Sequence, residues 1–566
     1  MLALVAGACT SEAGDRPPSA AAAAESLFDA WSRGDAEAML RTFARDVRDD
    51  WTVAELDEEL DTLRDSDAVE SYDVRRAGPV DGPDSVEPGA LATVPYEVVV
   101  DLAEVDDAAT LEGGVVMVFD GRADAWRVQW RDDVLWPGVT GEPAGVRAEH
   151  RFPPRAPILD RRGRKLARGT GLRRSYPYGA LAGSTIGHVA PATRARAAEL
   201  GSPYRRGNLV GASGLEAGLE RRLAGTPGTV VAVVDERGRR LEVLGRTSPR
   251  AAKPVRTTLD VDVQRAAEAA YGGTTGGAVV VAPETGDLLA VVSSAQIDPN
   301  DYVGVAGVQP FNRATSGLYP PGSSMKVVTA AAALDTGVVT PSTRLRGPKE
   351  YRGVRNFESG SYPSLDFATA VRFSVNTAFA RVAQRVGPER LTRYADAFGF
   401  NRPPDLPLDA ARSSFPFPED ESDLMWGSIG QAQVLATPLQ MASVVATIAN
   451  DGVRVEPRVV LDDEPARRRA VTVRTARTLA KLMEGVVTGG TGQAARLAGV
   501  RVAGKTGTAE VSIDGKIKNH AWFVCFAPVG DAKVAVAVVS ELGGIGGQVA
   551  APLARDVLAG VLPHVK

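Results

Sequence analysis

The chain has 566 residues, 44% of them apolar, and a formal net charge of -5 at pH 7. That length accommodates three domains with sizeable cores. The mild acidity and the lack of a long basic run argue against a nucleic-acid binder.

Residues 1–19 read as a short leader and linker ahead of the first folded domain. The eight residues before Cys9 would form a helix about 12 Å long against roughly 30 Å of hydrocarbon, so they do not span a membrane. Cys525, the other cysteine, falls in a core-strand pattern far along the chain, and no disulfide between the two is expected.

Residues 20–139 read as a separate module. Ala24 to Asp35 forms an amphipathic helix closed by a turn, and alternating strands follow at Pro95 to Leu102, Gly114 to Phe119 and Trp126 to Trp130. Helices first and a curved antiparallel sheet after predict a cone-like α+β domain. Proline- and glycine-bearing stretches near 137–143 and 247–254 read as linkers and delimit a second domain over 140–253. Residues 254–566 form the third and largest. The whole is thus a multidomain α+β chain.

Three short motifs lie in the third domain, each once and in fixed order: Ser323-Ser-Met-Lys326, Ser374-Val-Asn376 and Lys505-Thr-Gly-Thr508. A serine hydroxyl is a poor nucleophile until a neighbouring base takes its proton. Ser323 follows Tyr319-Pro-Pro-Gly322 and enters a helix that is apolar all round and therefore buried. At i and i+3 the two side chains share a helix face, so Lys326 reaches Ser323 Oγ. Burial and the positive helix N-terminus both disfavour its ammonium form, as a general base requires.

Ser374 and Asn376 precede an apolar-faced helix, where a hydroxyl and an amide can hold Lys326 and relay a proton to a leaving amine. Lys505 to Thr508 lies in a strand-like stretch from Val500 to Val511. A turn carrying Asp514-Gly515 then leads to strands Ala521 to Ala527 and Val534 to Val539. Gly507 removes a side chain where a substrate backbone can lie as an added strand. Lys505, Thr506 and Thr508 suit a terminal carboxylate, and the amides of Ser323 and Thr508 suit an oxyanion.

This triple set is that of penicillin-binding proteins and class A β-lactamases. The domain resembles the serine transpeptidase domain of class B penicillin-binding proteins, an antiparallel sheet flanked by helices. Segments around the motifs extend the likeness: Ser428-Ile-Gly-Gln-Ala-Gln-Val434, Thr437-Pro-Leu-Gln-Met-Ala442 and His520-Ala-Trp-Phe-Val-Cys-Phe-Ala-Pro528. His520, Trp522 and Cys525 read as sheet core rather than catalytic residues. Upstream, Arg155-Ala-Pro-Ile-Leu-Asp-Arg-Arg-Gly163 and Gly211-Ala-Ser-Gly-Leu-Glu216 resemble the elongated pedestal, or dimerisation, domain of the same family, with Ala156 where glycine is usual. The module over 20–139 resembles the nuclear-transport-factor-like extension of low-affinity, β-lactam-resistant members, with Trp130 to Pro137 as its exit strand. Leu4-Val-Ala-Gly-Ala-Cys9 resembles a lipobox, which marks Cys9 for lipidation within a truncated export signal.

The resemblance implies a D,D-transpeptidase at the extracytoplasmic face of a bacterial cell membrane, lipid-anchored at its N-terminus. Ser323 attacks the carbonyl between two D-alanines of a peptidoglycan stem peptide, and an amine from a neighbouring stem takes the acyl group. β-Lactams are covalent inhibitors, a cell-wall glycosyltransferase complex is a partner, and no metal or organic cofactor is called for. The rivals are a serine D,D-carboxypeptidase, a β-lactamase or a β-lactam sensor without turnover. Class A β-lactamases use a glutamate four residues before an asparagine, and no such pair occurs. Class D enzymes carry valine where Asn376 stands.

Overall fold

The computed structural model describes residues 19–64, 66–83, 86–357 and 360–565; Cys9, the lipidation candidate, lies outside the described residues. The chain forms two compact units, the described part of Met1–Pro153 with Thr226–Arg250, and Pro154–Gly225 with Ala251–Lys566.

In the first unit four helices, α1 (Ala20–Ser32), α2 (Ala36–Thr42), α3 (Arg45–Arg48) and α4 (Val53–Arg64), precede a four-stranded antiparallel sheet. Ser19 and Asp35 cap α1 and α2 by accepting from Ala22 N and Ala38 N, which satisfies amides that a helix start leaves free. The strands β1 (Val69–Arg76), β2 (Leu91–Leu102), β3 (Ala109–Asp120) and β4 (Ala125–Gln129) pair in sequence order. Strict alternation in β2 buries Ala92, Val94, Tyr96, Val98 and Val100 on one face. Leu27, Phe28 and Trp31 of α1 pack onto that face, and Trp130 stacks on Phe43 with ring centroids 4.7 Å apart.

The exit strand expected over 130–137 does not form. Asp132–Val134 is a single 3-10 turn, and Val134, Leu135 and Trp136 are all buried in succession. Alternate residues of a strand face opposite ways, so a strand with one solvated face cannot bury three consecutive side chains. The turn can, and Tyr96 Oη locks it by donating to the Val134 carbonyl at 2.5 Å. A second sheet in this unit places β6 (Gly228–Val234) between β5 (Gly145–Arg151) and β7 (Arg240–Arg246). Val231 and Val233 of β6 join the same apolar core.

The second unit is built on a five-stranded antiparallel sheet. Its strands are β8 (Gly276–Val281), β9 (Leu288–Ser293), β12 (Ala503–Ile513), β13 (Lys516–Ala527) and β14 (Val534–Ser540), in the order β9-β8-β14-β13-β12. Both faces are covered, so the inner strands are apolar throughout rather than alternating. Cys525 and Phe523 face α5 (Val261–Tyr271) and α11 (Ala550–Val561). Val524 and Trp522 face the cluster containing α6 (Lys326–Asp335), α8 (Asn376–Val386), α9 (Pro438–Ala449) and α10 (Val473–Gly489). His520, Trp522 and Cys525 are all buried in this sheet, as the core reading requires.

Asp514 and Gly515, with φ of 50° and 72°, form the two-residue hairpin between β12 and β13; paired left-handed residues match the twist of the flanking strands. β13 begins at Lys516 rather than Ala521, because register with β12 holds right up to the turn. The first residues of that strand are exposed and carry no apolar alternation to read.

The segment that resembles the pedestal motif closes on a buried ion cluster. Arg155 reaches Glu216 and Glu220, each at 2.8 Å, and Arg174 reaches Glu216 at 2.7 Å. Arg174 and Glu216 are fully buried. Among the described residues no helix is long and apolar enough to cross a membrane.

Candidate active site

Ser323 sits in a 3-10 turn, Gly322–Met325, that runs directly into α6. The turn is held from both sides. Gly322 N donates to the Gly430 carbonyl at 2.8 Å, Trp522 Nε1 to the Pro320 carbonyl at 3.0 Å, and Thr329 Oγ1 to the Ser428 carbonyl at 2.7 Å. The segments 319–323, 428–434 and 520–528 thus meet at one point of the fold. Ser324 and Met325 are buried while Ser323 is only half-buried, which leaves its hydroxyl accessible.

Lys326 is 1% exposed. Its Nζ lies 3.0 Å from Ser323 Oγ, 2.8 Å from the Ser374 carbonyl, 3.1 Å from Ser374 Oγ and 2.5 Å from Asn376 Oδ1. A neutral amine has two N–H donors and one lone pair. The carbonyl and the amide oxygen are acceptors only and take the two N–H groups, which leaves the lone pair for a hydroxyl proton. Asn376 is oriented by its own Nδ2, which donates to the Arg355 carbonyl at 2.7 Å.

Ser374 lies between α7 (Phe367–Arg372) and α8, with φ of 56°. Its hydroxyl accepts from Lys505 Nζ at 2.8 Å, so it stands between two lysines. Lys505 is also 1% exposed, and its ammonium turns inward to Ser374 and to the Thr506 carbonyl at 2.9 Å. Burial pulls Lys505 down to about 7. Burial and then the charge of Lys505 hold Lys326 well below the usual lysine range. Both causes disfavour the ammonium form of Lys326.

β12 is the edge of its sheet, so its outer hydrogen-bonding side is open. Gly507 serves a different close approach from the one expected. A Cβ there would lie 2.4 Å from Ser324 Oγ and 2.8 Å from the Pro321 carbonyl, so the glycine admits the serine turn rather than a substrate. Gly322, at φ of 52°, meets the same strand from the other side, where a Cβ would stand 2.6 Å from the Thr508 carbonyl. A residue in an extended strand points its N–H and C=O to the same side. The Thr508 amide therefore faces the serine turn as well. Thr508 Oγ1 accepts from Gly546 N at 3.1 Å, and Thr506 Oγ1 pairs with Thr491 Oγ1 at 2.7 Å.

All eight motif residues of the second unit thus meet at one site. Sequence reasoning missed Thr491, whose signal is the glycine-rich run Thr488-Gly-Gly-Thr-Gly492, and Phe379, whose ring centroid lies 5.2 Å from Lys326 Nζ.

Residues 276–559 match the penicillin binding protein transpeptidase domain, and residues 169–257 the penicillin-binding protein dimerisation domain. The peptidoglycan D,D-transpeptidase PbpA of Mycolicibacterium smegmatis is 38% identical over 378 residues, 58% of this chain and 77% of that one. PBPA from Mycobacterium tuberculosis superposes with a TM-score of 0.58 at 31% identity, covering 72% of this chain and 98% of that one. The D,D-transpeptidase domain of a peptidoglycan glycosyltransferase from Eggerthella lenta gives 0.59 at 30%, covering 73% and 98%. With a serine–lysine site assembled on this sheet and both domains matched, the chain belongs to the class B penicillin-binding proteins.

Proposed function

We propose that this chain is a peptidoglycan D,D-transpeptidase working through an acyl-enzyme on Ser323. The observation that carries the reading is the placement of Lys326. It is a buried, deprotonation-prone amine 3.0 Å from the half-buried Ser323 hydroxyl, with its two N–H groups already committed.

In the first half-reaction the Ser323 proton passes to Lys326 Nζ as Oγ adds to the carbonyl between the two D-alanines. The amides of Ser323 and Thr508 receive the oxyanion. The C–N bond then breaks, and the Lys326 proton reaches the leaving amine through the Ser374 hydroxyl, which touches both lysines. A second amine enters by the reverse path and takes the acyl group from Ser323, forming the cross-link. Lys505, whose Nζ stands beside Ser374, favours the terminal carboxylate of the donor together with Thr506 and Thr508.

A solved complex of the Mycobacterium tuberculosis protein is a ceftriaxone acyl-enzyme, which supports β-lactams as covalent inhibitors here. Residues 20–139 are read as a nuclear-transport-factor-like spacer, residues 140–253 as the pedestal, and the enzyme as extracytoplasmic, lipid-anchored through Cys9 and allied to a glycosyltransferase complex.

Intact-protein mass after penicillin exposure, with a digest to locate the adduct, tests this function. The expected result is one adduct on Ser323, absent from a folded Ser323→Ala protein, that persists for many minutes at neutral pH. Positioned acid–base help is worth about 10²–10⁴-fold, and no glutamate stands four residues before an asparagine as the water-activating glutamate of class A β-lactamases does. Full labelling of Ser323→Ala would overturn the nucleophile. Rapid multiple turnover of a chromogenic cephalosporin would make the protein a hydrolase.

A further inference from the structure

A second cluster of chemistry lies along α8, beyond the helix turn that carries Asn376. Two short strands, β10 (Arg344–Gly347) and β11 (Tyr362–Asp366), pair antiparallel next to this helix. In β10 the alternation buries Leu345 and leaves Arg344 and Arg346 on the exposed face. On α8, Arg381 and Arg385 are four apart and so share a helix face. The two periodicities bring four guanidinium groups to one groove of about 600 Å³.

The rest of the lining is neutral and able to hydrogen-bond. Arg381 lies over the Tyr351 ring, 4.7 Å from its centroid, and Tyr351 Oη donates to Gln384 Oε1 at 2.9 Å. The hydrogen bond fixes the ring, and the ring contact holds Arg381 against the wall. Among the described residues the lining contains no carboxylate. Of the acids that flank these strands, Asp366 stands across the ladder from Arg344 and offsets part of that one charge, leaving Arg346, Arg381 and Arg385 without a carboxylate in the lining. Glu350 pairs with Arg355 at 2.8 Å, and Asp366 caps α7 by accepting from Thr369 N at 2.8 Å.

Four like charges around one concavity repel one another, and a ligand carrying several anionic groups relieves that repulsion. A guanidinium presents a planar fork that matches a carboxylate with two parallel hydrogen bonds. The volume falls within the usual range for a ligand pocket, about 300–1,000 Å³. A concave wall with a phenol, a carboxamide and the Ser364 hydroxyl between the charges suits a peptide better than a flat lipid surface.

We propose that this groove binds an acidic peptide segment carrying at least two carboxylates, the stem of a second strand presented beside the acyl-transfer site. The assignment to a stem rests on the transpeptidase reading; the acidic-peptide site does not. Because α8 begins at Asn376 and continues into the groove, a peptide held there lies along the element that helps to build the catalytic site.

The test uses the full-length protein and a fluorescent acetyl-tetraglutamate amide, read by anisotropy at low and high salt. Tetraglutamate should bind, tetraglutamine should not, and salt should weaken the binding. Arg344→Glu with Arg346→Glu should weaken it at least about tenfold, as should Arg381→Gln with Arg385→Gln. The penicillin acylation rate should stay within about twofold of wild type in both pairs. The exposed strand pair guards against misfolding of the helix pair. Tetraglutamate binding unchanged in both pairs, or absent at low salt, would overturn the proposal. So would vesicles containing phosphatidylglycerol that bind through these arginines where tetraglutamate does not. Failure of the wild type to acylate would remove the transpeptidase reading, while the tetraglutamate titration still decides the groove.

Discussion

Replacing Gly507 with alanine tests whether the strand edge and the serine turn act as one machine part. The new methyl would start 2.4 Å from Ser324 Oγ, 2.8 Å from the Pro321 carbonyl and 2.8 Å from Trp522 Cβ. Two of those neighbours are a backbone oxygen and the Cβ of a fully buried tryptophan, and Ser324 is itself fully buried, so none can swing aside. Restoring ordinary contact requires the turn and β12 to separate by about 1 Å, a misplacement that typically costs on the order of 10²-fold in rate. That corresponds to about 2.7 kcal/mol of barrier. Overpacking of this kind also costs about 1–3 kcal/mol of stability. Stopped-flow acylation by a chromogenic cephalosporin reads the first quantity, and denaturant unfolding reads the second. Ser324→Gly in the same chain removes the shortest contact and should recover part of the loss, giving a positive coupling in the double-mutant cycle. Acylation and stability both at wild-type values in Gly507→Ala would refute the reasoning.

The two lysines should differ under the same change. Lys326→Arg removes the titratable base and should abolish acylation almost completely, whereas Lys505→Arg keeps a cation and should retain part of it; equal rates in a stopped-flow comparison would contradict the roles. Stability should rise with pH above about 7 on account of Lys505. Its folded-state pKa is pulled down to about 7 from 10.5, so between those values the unfolded chain holds a proton that the folded chain does not. Urea unfolding at several pH values should therefore show a shallower rise in Lys505→Met than in wild type, and an equal or steeper one would count against the buried cation. Glu216→Gln should cost about 3–5 kcal/mol, because the fully buried Arg174 is then left facing a neutral amide while Arg155 keeps Glu220; thermal unfolding measures it, and a change under half a kcal/mol would be the wrong answer.

The catalytic contacts were legible because they are local or carry unusual residue types. Ser323 and Lys326 are one helical turn apart, and the asparagine and the second lysine stand out as polar residues at the mouths of apolar elements. The Asp514-Gly515 hairpin was readable for the same reason, since its backbone demands particular residues. What the sequence hid are contacts across long separations. Nothing near Gly276–Val281 announces that it pairs with Val534–Ser540, and nothing near Gly507 announces that Ser324 presses on it. The exit strand over Trp130 to Pro137 was implied by the family resemblance, whereas the turn that replaces it answers a tertiary demand, the need to bury Val134, Leu135 and Trp136 at once. Cation placement was half visible: the motifs named Lys505, but its inward aim at Ser374 depends on the depth of the strand beneath the surface.

Ser374 is a serine held at a φ that serine disfavours, and that has a consequence for how the site fails. Only in that conformation do its carbonyl and its hydroxyl both turn to the same amine, 2.8 Å and 3.1 Å away. A left-handed non-glycine residue costs about 1–2 kcal/mol, so the preference of the residue itself is to let go. Glycine would relieve the strain and lose the relay, and a residue at home in extended backbone would keep the chain and lose both contacts. The position is therefore a latch under tension, closed by the two helices that flank it. Any change that loosens the start of α8 should release the carbonyl and the hydroxyl together, so that orientation of the base and the path of its proton disappear in one step rather than in two.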